Sequence, residues 1–147
     1  MIIKSLELSC FRNYDFLNLE FDRGTNILFG DNAQGKTNIL EAIYLCATTK
    51  SHKGSKDKDI VKFDAQEAHI RSYLEKDGIE RRIDMHLRKN KSKGIAVDQV
   101  RLKKAAELLG LMNVVFFSPE DLSIIKNGPG ERRHFVDMEL CQLDSFY

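Results

Sequence analysis

The chain of 147 residues lacks features that mark several large classes of protein. It has no apolar run long enough to cross a bilayer, and its N-terminus reads directly as a strand rather than as a signal peptide. Its three cysteines are far apart and without C-x-x-C spacing, which argues against a disulfide framework or a cysteine zinc site. We therefore expect a cytoplasmic protein with free thiols and no membrane partner.

The chain also has little excess of charge of either sign, since its formal net charge is +1. Any surface for nucleic acid must therefore be local rather than spread over the whole molecule. Hydrophobic residues make up 42% of the chain, which is enough for a packed core. The length is that of about one domain.

Residues 30–37 read Gly-Asp-Asn-Ala-Gln-Gly-Lys-Thr and match the whole phosphate-binding pattern G-x-x-x-x-G-K-[ST]. The apolar run 25–29 before them predicts a buried strand, and apolar residues within 38–47 recur at helical spacing. A strand, a glycine-rich loop and a helix are the context in which this motif binds a nucleoside triphosphate. The candidate nucleotide-binding residues of the loop are Gly30, Asp31, Asn32, Ala33, Gln34, Gly35, Lys36 and Thr37.

The loop residues have distinct expected roles. Gly30 and Gly35 let the backbone turn tightly and approach the phosphates without a Cβ in the way. Lys36 is expected to reach the β- and γ-phosphates, and the hydroxyl of Thr37 to bind Mg²⁺, which prefers hard oxygen ligands. The alternative is a glycine-rich turn with a solvated lysine.

Two alternating segments, 2–11 and 16–21, precede the loop and predict an antiparallel strand pair with a turn at 12–15. Small P-loop kinases usually place the loop after their first strand, so this order favours the heads of transporter and chromosome-maintenance ATPases. The fold class we predict is an α/β P-loop NTPase head of the transporter-ATPase type, with a mixed sheet and an antiparallel β-hairpin layer.

Further elements follow the loop helix. We predict strands at 67–75, 79–87, 95–97 and 113–117, and helices at 100–109, from Ser118 onward, and at 131–143. The strand at 113–117 is expected to be central, because its apolar run is continuous. No later strand ends in an acidic pair, so we expect an incomplete hydrolytic site with no complete set of catalytic residues. Residues 1–147 are expected to be the N-terminal part of a head domain, with a helical arm starting after about residue 119.

Basic residues are concentrated between positions 81 and 104, where nine Lys or Arg stand against two acids. A basic hairpin turn can follow phosphates without reading sequence, because its charges neutralise the backbone of nucleic acid. The candidate contacts to nucleic acid in the turn are Arg88, Lys89, Lys91 and Lys93. The alternative is a solvated hairpin whose charges prevent aggregation.

Two blocks of sequence carry a family resemblance. They are SLELSCFRNYDFLNLEFDRGTNILFGDNAQGKTNILEAIYLCATTKSHK and VVFFSPEDLSIIKNGPGERRHFVD. Together they resemble the N-terminal part of the RecF family of bacterial recombination mediators and, more broadly, chromosome-maintenance and transporter ATPase heads. The resemblance implies ATP as the nucleotide, an ATP-dependent homodimer, and binding to duplex or gapped DNA. It also implies work with RecR and RecO to load RecA in gap repair.

The resemblance also implies roles for residues outside the loop. Residues matching Arg12 and Asn13 lie near the nucleotide in related heads; otherwise they form an ordinary polar turn. Lys53 stands where the family usually has an arginine, and it keeps the charge but loses the bidentate fork. Arg132 and Arg133 match paired family arginines, for which a DNA-facing or interdomain role competes with a solvated helix face.

Two other readings remain. A metabolic P-loop enzyme, such as a small-molecule kinase, would need an acceptor-binding lid, and the two strands before the loop argue against it. A non-catalytic module would bind nucleotide or a protein partner without hydrolysis, which fits a chain without the acidic strand end.

Overall fold

The computed structural model describes residues 1–118 and 128–143. Six strands lie in these ranges: β1 Ile2–Phe11, β2 Tyr14–Glu20, β3 Glu67–Lys76, β4 Ile79–Arg88, β5 Gly94–Val97 and β6 Val100–Arg101. The helices are α1 Lys36–Thr48, α2 Asp57–Ile60, a 3₁₀ turn Ala105–Leu108, and α3 Pro129–Leu143.

The six strands form one antiparallel sheet in the order β2-β1-β3-β4-β5-β6. The predicted strand pairs before the loop and at 67–87 are confirmed, as is the strand at 95–97. Asp77 and Gly78, at the turn between β3 and β4, both have positive φ, as the tight turn of a two-residue hairpin requires.

The core lies on one face of this sheet, because buried and accessible residues alternate along the strands. Ala68, Ile70 and Leu74 of β3 are fully or almost fully buried, and they join one cluster with Leu45 and Cys46 of α1. The opposite face carries charged side chains such as Glu7, Arg71 and Asp84, which are partly exposed. The sheet therefore supports α1, and with it the loop 30–37, from one side only.

The predicted strand at 25–29 is wrong, since these residues have no regular secondary structure and do not pair with the sheet. Asn26 explains part of the difference: its side chain accepts from Asp22 N–H and donates to the carbonyls of Asp22 and Gly24 at 3.0 and 3.2 Å. Such local bonds compete with strand pairing. Leu28 still packs against the core, whereas Ile27 and Phe29 are exposed.

The predicted central strand at 113–117 is also wrong as a paired strand. The Val114 N–H donates to the Gln142 side chain at 2.8 Å, so α3 takes a bond that a neighbouring strand would have made. Phe116 contacts the rings of Tyr44 and His52. The segment is thus held to α1 and α3 by side chains.

The helix predicted at 100–109 is wrong over most of its length. Val100 pairs with Val97 across a tight turn in which Asp98 and Gln99 both have positive φ, and only a short 3₁₀ turn follows. An apolar spacing that suits a helix cannot override this hairpin geometry. The helix predicted at 131–143 is confirmed as α3, and the helix start predicted after Ser118 lies outside the described residues.

All three cysteines are free thiols, as expected. Cys46 is fully buried, and this burial raises the pKa of its thiol to about 12. Among the described residues, no helix combines the length and hydropathy needed to span a bilayer.

Candidate nucleotide-binding site

The loop 30–37 joins the segment 25–29 to the first turn of α1. Gly30, Ala33 and Gly35 have φ values of 141°, 67° and 94°, so the backbone reverses through conformations that favour glycine. Helix α1 begins at Lys36. The N–H groups of Asn38 and Ile39 donate to the Gly35 carbonyl at 2.8 and 3.3 Å, whereas those of Lys36 and Thr37 come before the first acceptor of the helix. The positive end of the helix dipole therefore faces the loop.

The Lys36 side chain folds back over the loop. Its ammonium donates to the carbonyl oxygens of Gly30 at 2.7 Å and Asp31 at 2.5 Å. The amine therefore lies at the mouth of the loop, beside the N-terminal end of α1. Gly30 itself has open space where a Cβ would stand.

Residues at the turn between β1 and β2 contact the loop and the start of α1. Tyr14 donates from its hydroxyl to the Gln34 carbonyl at 3.2 Å, and the Asn38 side chain donates to Asn13 Oδ1 at 2.8 Å. A Cβ on Gly35 would lie 2.6 Å from the Tyr14 hydroxyl and 2.7 Å from Asn13 Oδ1. Close approach, as well as its positive φ, therefore requires glycine at this position.

Arg12 lies beside this turn but points at α1 rather than at the loop. Its Nε and Nη2 donate to the two oxygens of Glu41 at 2.9 and 2.6 Å, and Nη2 also donates to the Ser55 hydroxyl. Nη1 donates to the Asp59 carbonyl at 2.9 Å. Four bonds thus occupy the guanidinium and join the strand turn, α1 and α2.

Glu41 is fully buried on α1, and its charge is held by this network. Burial alone would raise the pKa of its carboxyl, but hydrogen bonds from Arg12 and Ser51 outweigh burial and leave the pKa below its ordinary value. Ser51 also accepts the N–H of Lys53 at 3.1 Å. The segment after α1 is therefore fastened to the same carboxylate as Arg12.

The predicted DNA contacts of the turn 88–93 differ in exposure and in hydrogen bonding. Lys93 is largely buried: its ammonium donates to the Thr49 carbonyl and pairs with Asp57 at 3.0 Å. Lys89 donates to the Phe63 carbonyl and Arg88 to the Ser92 carbonyl, each at 2.8 Å. Lys91 is exposed. Lys93 thus joins the turn to Thr49 and Asp57, whereas Lys91 faces solvent.

The remaining predicted DNA contacts lie on other elements. Lys53 is exposed in the segment between α1 and α2. Arg132 and Arg133 are exposed in the first turns of α3.

Sequence reasoning missed Tyr14, Asn38 and Glu41, which connect the loop to its support. A signal for Glu41 was present: it is a carboxylate on the same side of α1 as the apolar Leu45, four residues later. A buried carboxylate needs a partner, and that partner lies 29 residues earlier in the chain. Spacing alone does not reveal it.

The residues present fit a triphosphate with its Mg²⁺. The loop offers a positively charged amine, a helix N-terminus and open space at Gly30, all of which suit an anion. Thr37 is exposed at the second position of α1, where a hydroxyl can reach a metal ion held by phosphates.

Comparison with known proteins agrees with this architecture. The family described as the AAA domain matches residues 5–137. The DNA replication and repair protein RecF of Lachnoclostridium phytofermentans is 67% identical over 147 residues, which are 100% of this chain and 41% of that protein. The chain therefore spans about two fifths of the length of such relatives.

Solved structures show the same fold. A structure of the recombination mediator protein RecF-ATP in the RecFOR pathway is 40% identical, with a TM-score of 0.92 over 97% of this chain and 39% of that one. A structure described under ATP-driven dimerisation and DNA-stimulated activation of SMC ATPases has a TM-score of 0.75 over 94% of this chain and 99% of that one, at 22% identity. The latter likeness concerns the fold alone. The chain therefore belongs to the AAA domain family of P-loop ATPases, within which its whole length matches the N-terminal portion of RecF proteins.

Proposed function

We propose that this chain binds ATP with Mg²⁺ at residues 30–37, as part of a DNA replication and repair protein. The observation that carries the proposal is the loop geometry: an amine, a helix N-terminus and positive-φ glycines meet at one exposed turn. The similarity to RecF-ATP supports ATP as the nucleotide. In this proposal Lys36 neutralises the phosphates, Thr37 binds the Mg²⁺, and the backbone of Asp31, Asn32, Ala33 and Gln34 lines the cradle.

Asn13 and Arg12 have different proposed roles, since one contacts the nucleotide and the other supports the loop. We propose that Asn13 touches the bound nucleotide, and its contacts to both the loop and α1 support this role. Arg12 has one Nη1 hydrogen left beside its four hydrogen bonds, so its contribution is chiefly to hold the turn and α1 in place.

Dimerisation and DNA binding complete the proposed role. ATP bound at the loop is proposed to drive pairing of two heads, which then hold duplex or gapped DNA and, with RecR and RecO, help load RecA. The RecFOR pathway named for the similar structure supports these partners. Residues 1–147 form the N-terminal part of the head in this proposal, with a helical arm after about residue 119. We assign no catalytic residue to this chain, because none of the six strands in the described ranges ends in an acidic pair.

Replacing Lys36 by alanine is expected to weaken binding of a fluorescent ATP analogue with Mg²⁺ by about tenfold or more. The reason is the loss of a charge-assisted contact to phosphate, which is worth roughly 1.5–3 kcal/mol. Fluorescence titration measures the affinity, and Lys103→Ala, an exposed lysine outside the loop, is the matched control. Equal affinity of Lys36→Ala and the unchanged chain would contradict the proposed site.

Reversing Lys89 and Lys91 to glutamate is expected to weaken binding of duplex DNA and to flatten its dependence on salt. The slope of log K against log salt is negative, and each lost phosphate contact reduces its magnitude by about 0.9. Fluorescence anisotropy at several salt concentrations measures both quantities. The double variant Lys103→Glu/Lys104→Glu makes the same change of charge at two exposed lysines outside the turn. An equal effect of this control would show that only total charge matters.

A further inference from the structure

The charged face of the sheet carries a cluster that the proposed function does not use. His69 of β3 and His86 of β4 are directly paired across the strands, and Glu67 lies two residues before His69 on the same face. The two imidazole rings stack with centroids 4.1 Å apart. Three potential metal ligands therefore share one small patch, on the face of the sheet opposite the core.

The donor atoms of this patch already lie close together. Glu67 Oε2 is 2.8 Å from His86 Nε2, Glu67 Oε1 is 3.8 Å from His69 Nε2, and all three donor atoms lie within 4.8 Å of one another. Around a tetrahedral Zn²⁺ with bonds near 2.0–2.1 Å, donor atoms are separated by about 3.3 Å. Small rotations of exposed side chains are enough to reach that spacing.

We propose that Glu67, His69 and His86 bind a divalent transition-metal ion of the Zn²⁺ class. Two imidazole nitrogens and one carboxylate oxygen form a known set of Zn²⁺ ligands, which leaves a fourth position for water or another group. Mg²⁺ does not compete well here, because it prefers oxygen donors in octahedral geometry. The site is separate from the loop 30–37, since α1 packs on the other face of the sheet.

The electrostatic surroundings permit a cation at this position. Two arginines lie beside the patch. Arg88 is opposite Glu67 on β4, and its guanidinium donates to the Ser92 carbonyl at 2.8 Å. The charge of Arg71 is offset by Asp84 at 2.7 Å and Glu7 at 3.4 Å.

A simpler role would be a hydrogen bond between two surface side chains. Glu67 and His86 have side-chain exposures of 54% and 34%, so such a bond adds little to stability. In that arrangement His69 Nε2 lies 3.8 Å from the same carboxylate, which is beyond hydrogen-bond distance. A metal ion uses all three side chains and joins β3 to β4.

Titration of the 147-residue chain with Zn²⁺, against a chromophoric chelator, tests this site. We expect one Zn²⁺ per chain, with shifts of the imidazole proton resonances of His69 and His86 and none at His52. Glu67→Gln and His69→Gln are each expected to weaken the affinity by at least about tenfold. Glu80→Gln, which changes an exposed carboxylate at the far end of β4, is expected to leave the affinity unchanged.

The side chains concerned lie on the solvent side of the sheet, so the variants keep the core intact, and far-UV circular dichroism checks that they remain folded. Two results would overturn the proposal. One is the absence of Zn²⁺ binding at concentrations up to about 1 mM. The other is Zn²⁺ binding that persists unchanged in a His69→Gln/His86→Gln double variant, which would place the ion elsewhere, for example at a cysteine.

Discussion

Replacing Arg12 by alanine is expected to lower the free energy of unfolding by about 3–5 kcal/mol at neutral pH. The substitution leaves the fully buried Glu41 carboxylate without the two hydrogen bonds that Arg12 donates at 2.6 and 2.9 Å. It also removes the bonds to Ser55 and Asp59 that join α2 to the strand turn. Urea unfolding followed by circular dichroism measures the loss, which is large compared with the stability of a typical domain.

The effect of Arg12→Ala is expected to depend on pH in a definite direction. In the unchanged chain the pKa of Glu41 lies below its ordinary value, so its stabilising contribution is present at neutral pH and is lost as pH falls through that folded-state pKa. Without Arg12, burial dominates and raises the pKa of Glu41, so protonation favours the folded variant. The difference in unfolding free energy between the two chains should therefore shrink as pH falls.

Two further variants separate the buried pair from general effects of charge. Lys4→Ala breaks the exposed pair between Lys4 and Glu80, which is 2.7 Å long, and is expected to have little effect because both side chains are about half exposed. Arg12→Lys keeps a positive charge but loses the bidentate fork, so it should restore only part of the stability. A pH-independent loss for Arg12→Ala, or a loss as small as that of Lys4→Ala, would contradict the role assigned to Glu41.

The antiparallel part of the fold could be predicted from the sequence because its signals are local. Alternation along β3 and β4 and the turn at Asp77 and Gly78 determine both the pairing and the register. The same locality explains why the helix predicted at 100–109 was wrong. The tight turn at Asp98 and Gln99 lies immediately before that range, and it pairs Val100 with Val97 despite the apolar spacing that follows.

The strand predictions for two segments were wrong because the structure of these segments depends on partners that are distant in the sequence. The apolar runs 25–29 and 113–117 correctly indicate contact with the core, through Leu28 and Val114. An apolar run does not say which backbone it pairs with, and here Gln142 of α3 binds the Val114 N–H. The motif at 30–37 was recognisable from residue types, whereas its support by Asn13, Tyr14 and Glu41 depends on contacts across 20 or more residues.

This support makes Gly35 the most sensitive position of the loop. Gly35→Ala is expected to weaken binding of the fluorescent ATP analogue by more than about a hundredfold, because φ is 94° and a Cβ would lie 2.6 Å from the Tyr14 hydroxyl. Relief of strain would move the loop away from Asn13 and Tyr14, and with it the N-terminal end of α1.

Gly24→Ala, where a Cβ meets nothing within 4 Å, is the matched control and should bind normally. Adding Tyr14→Phe to Gly35→Ala removes the hydroxyl that lies nearest to the new Cβ, so partial recovery of affinity would identify crowding as the cause. Normal binding by Gly35→Ala alone would show that the approach of the strand turn to the loop is not what shapes the site.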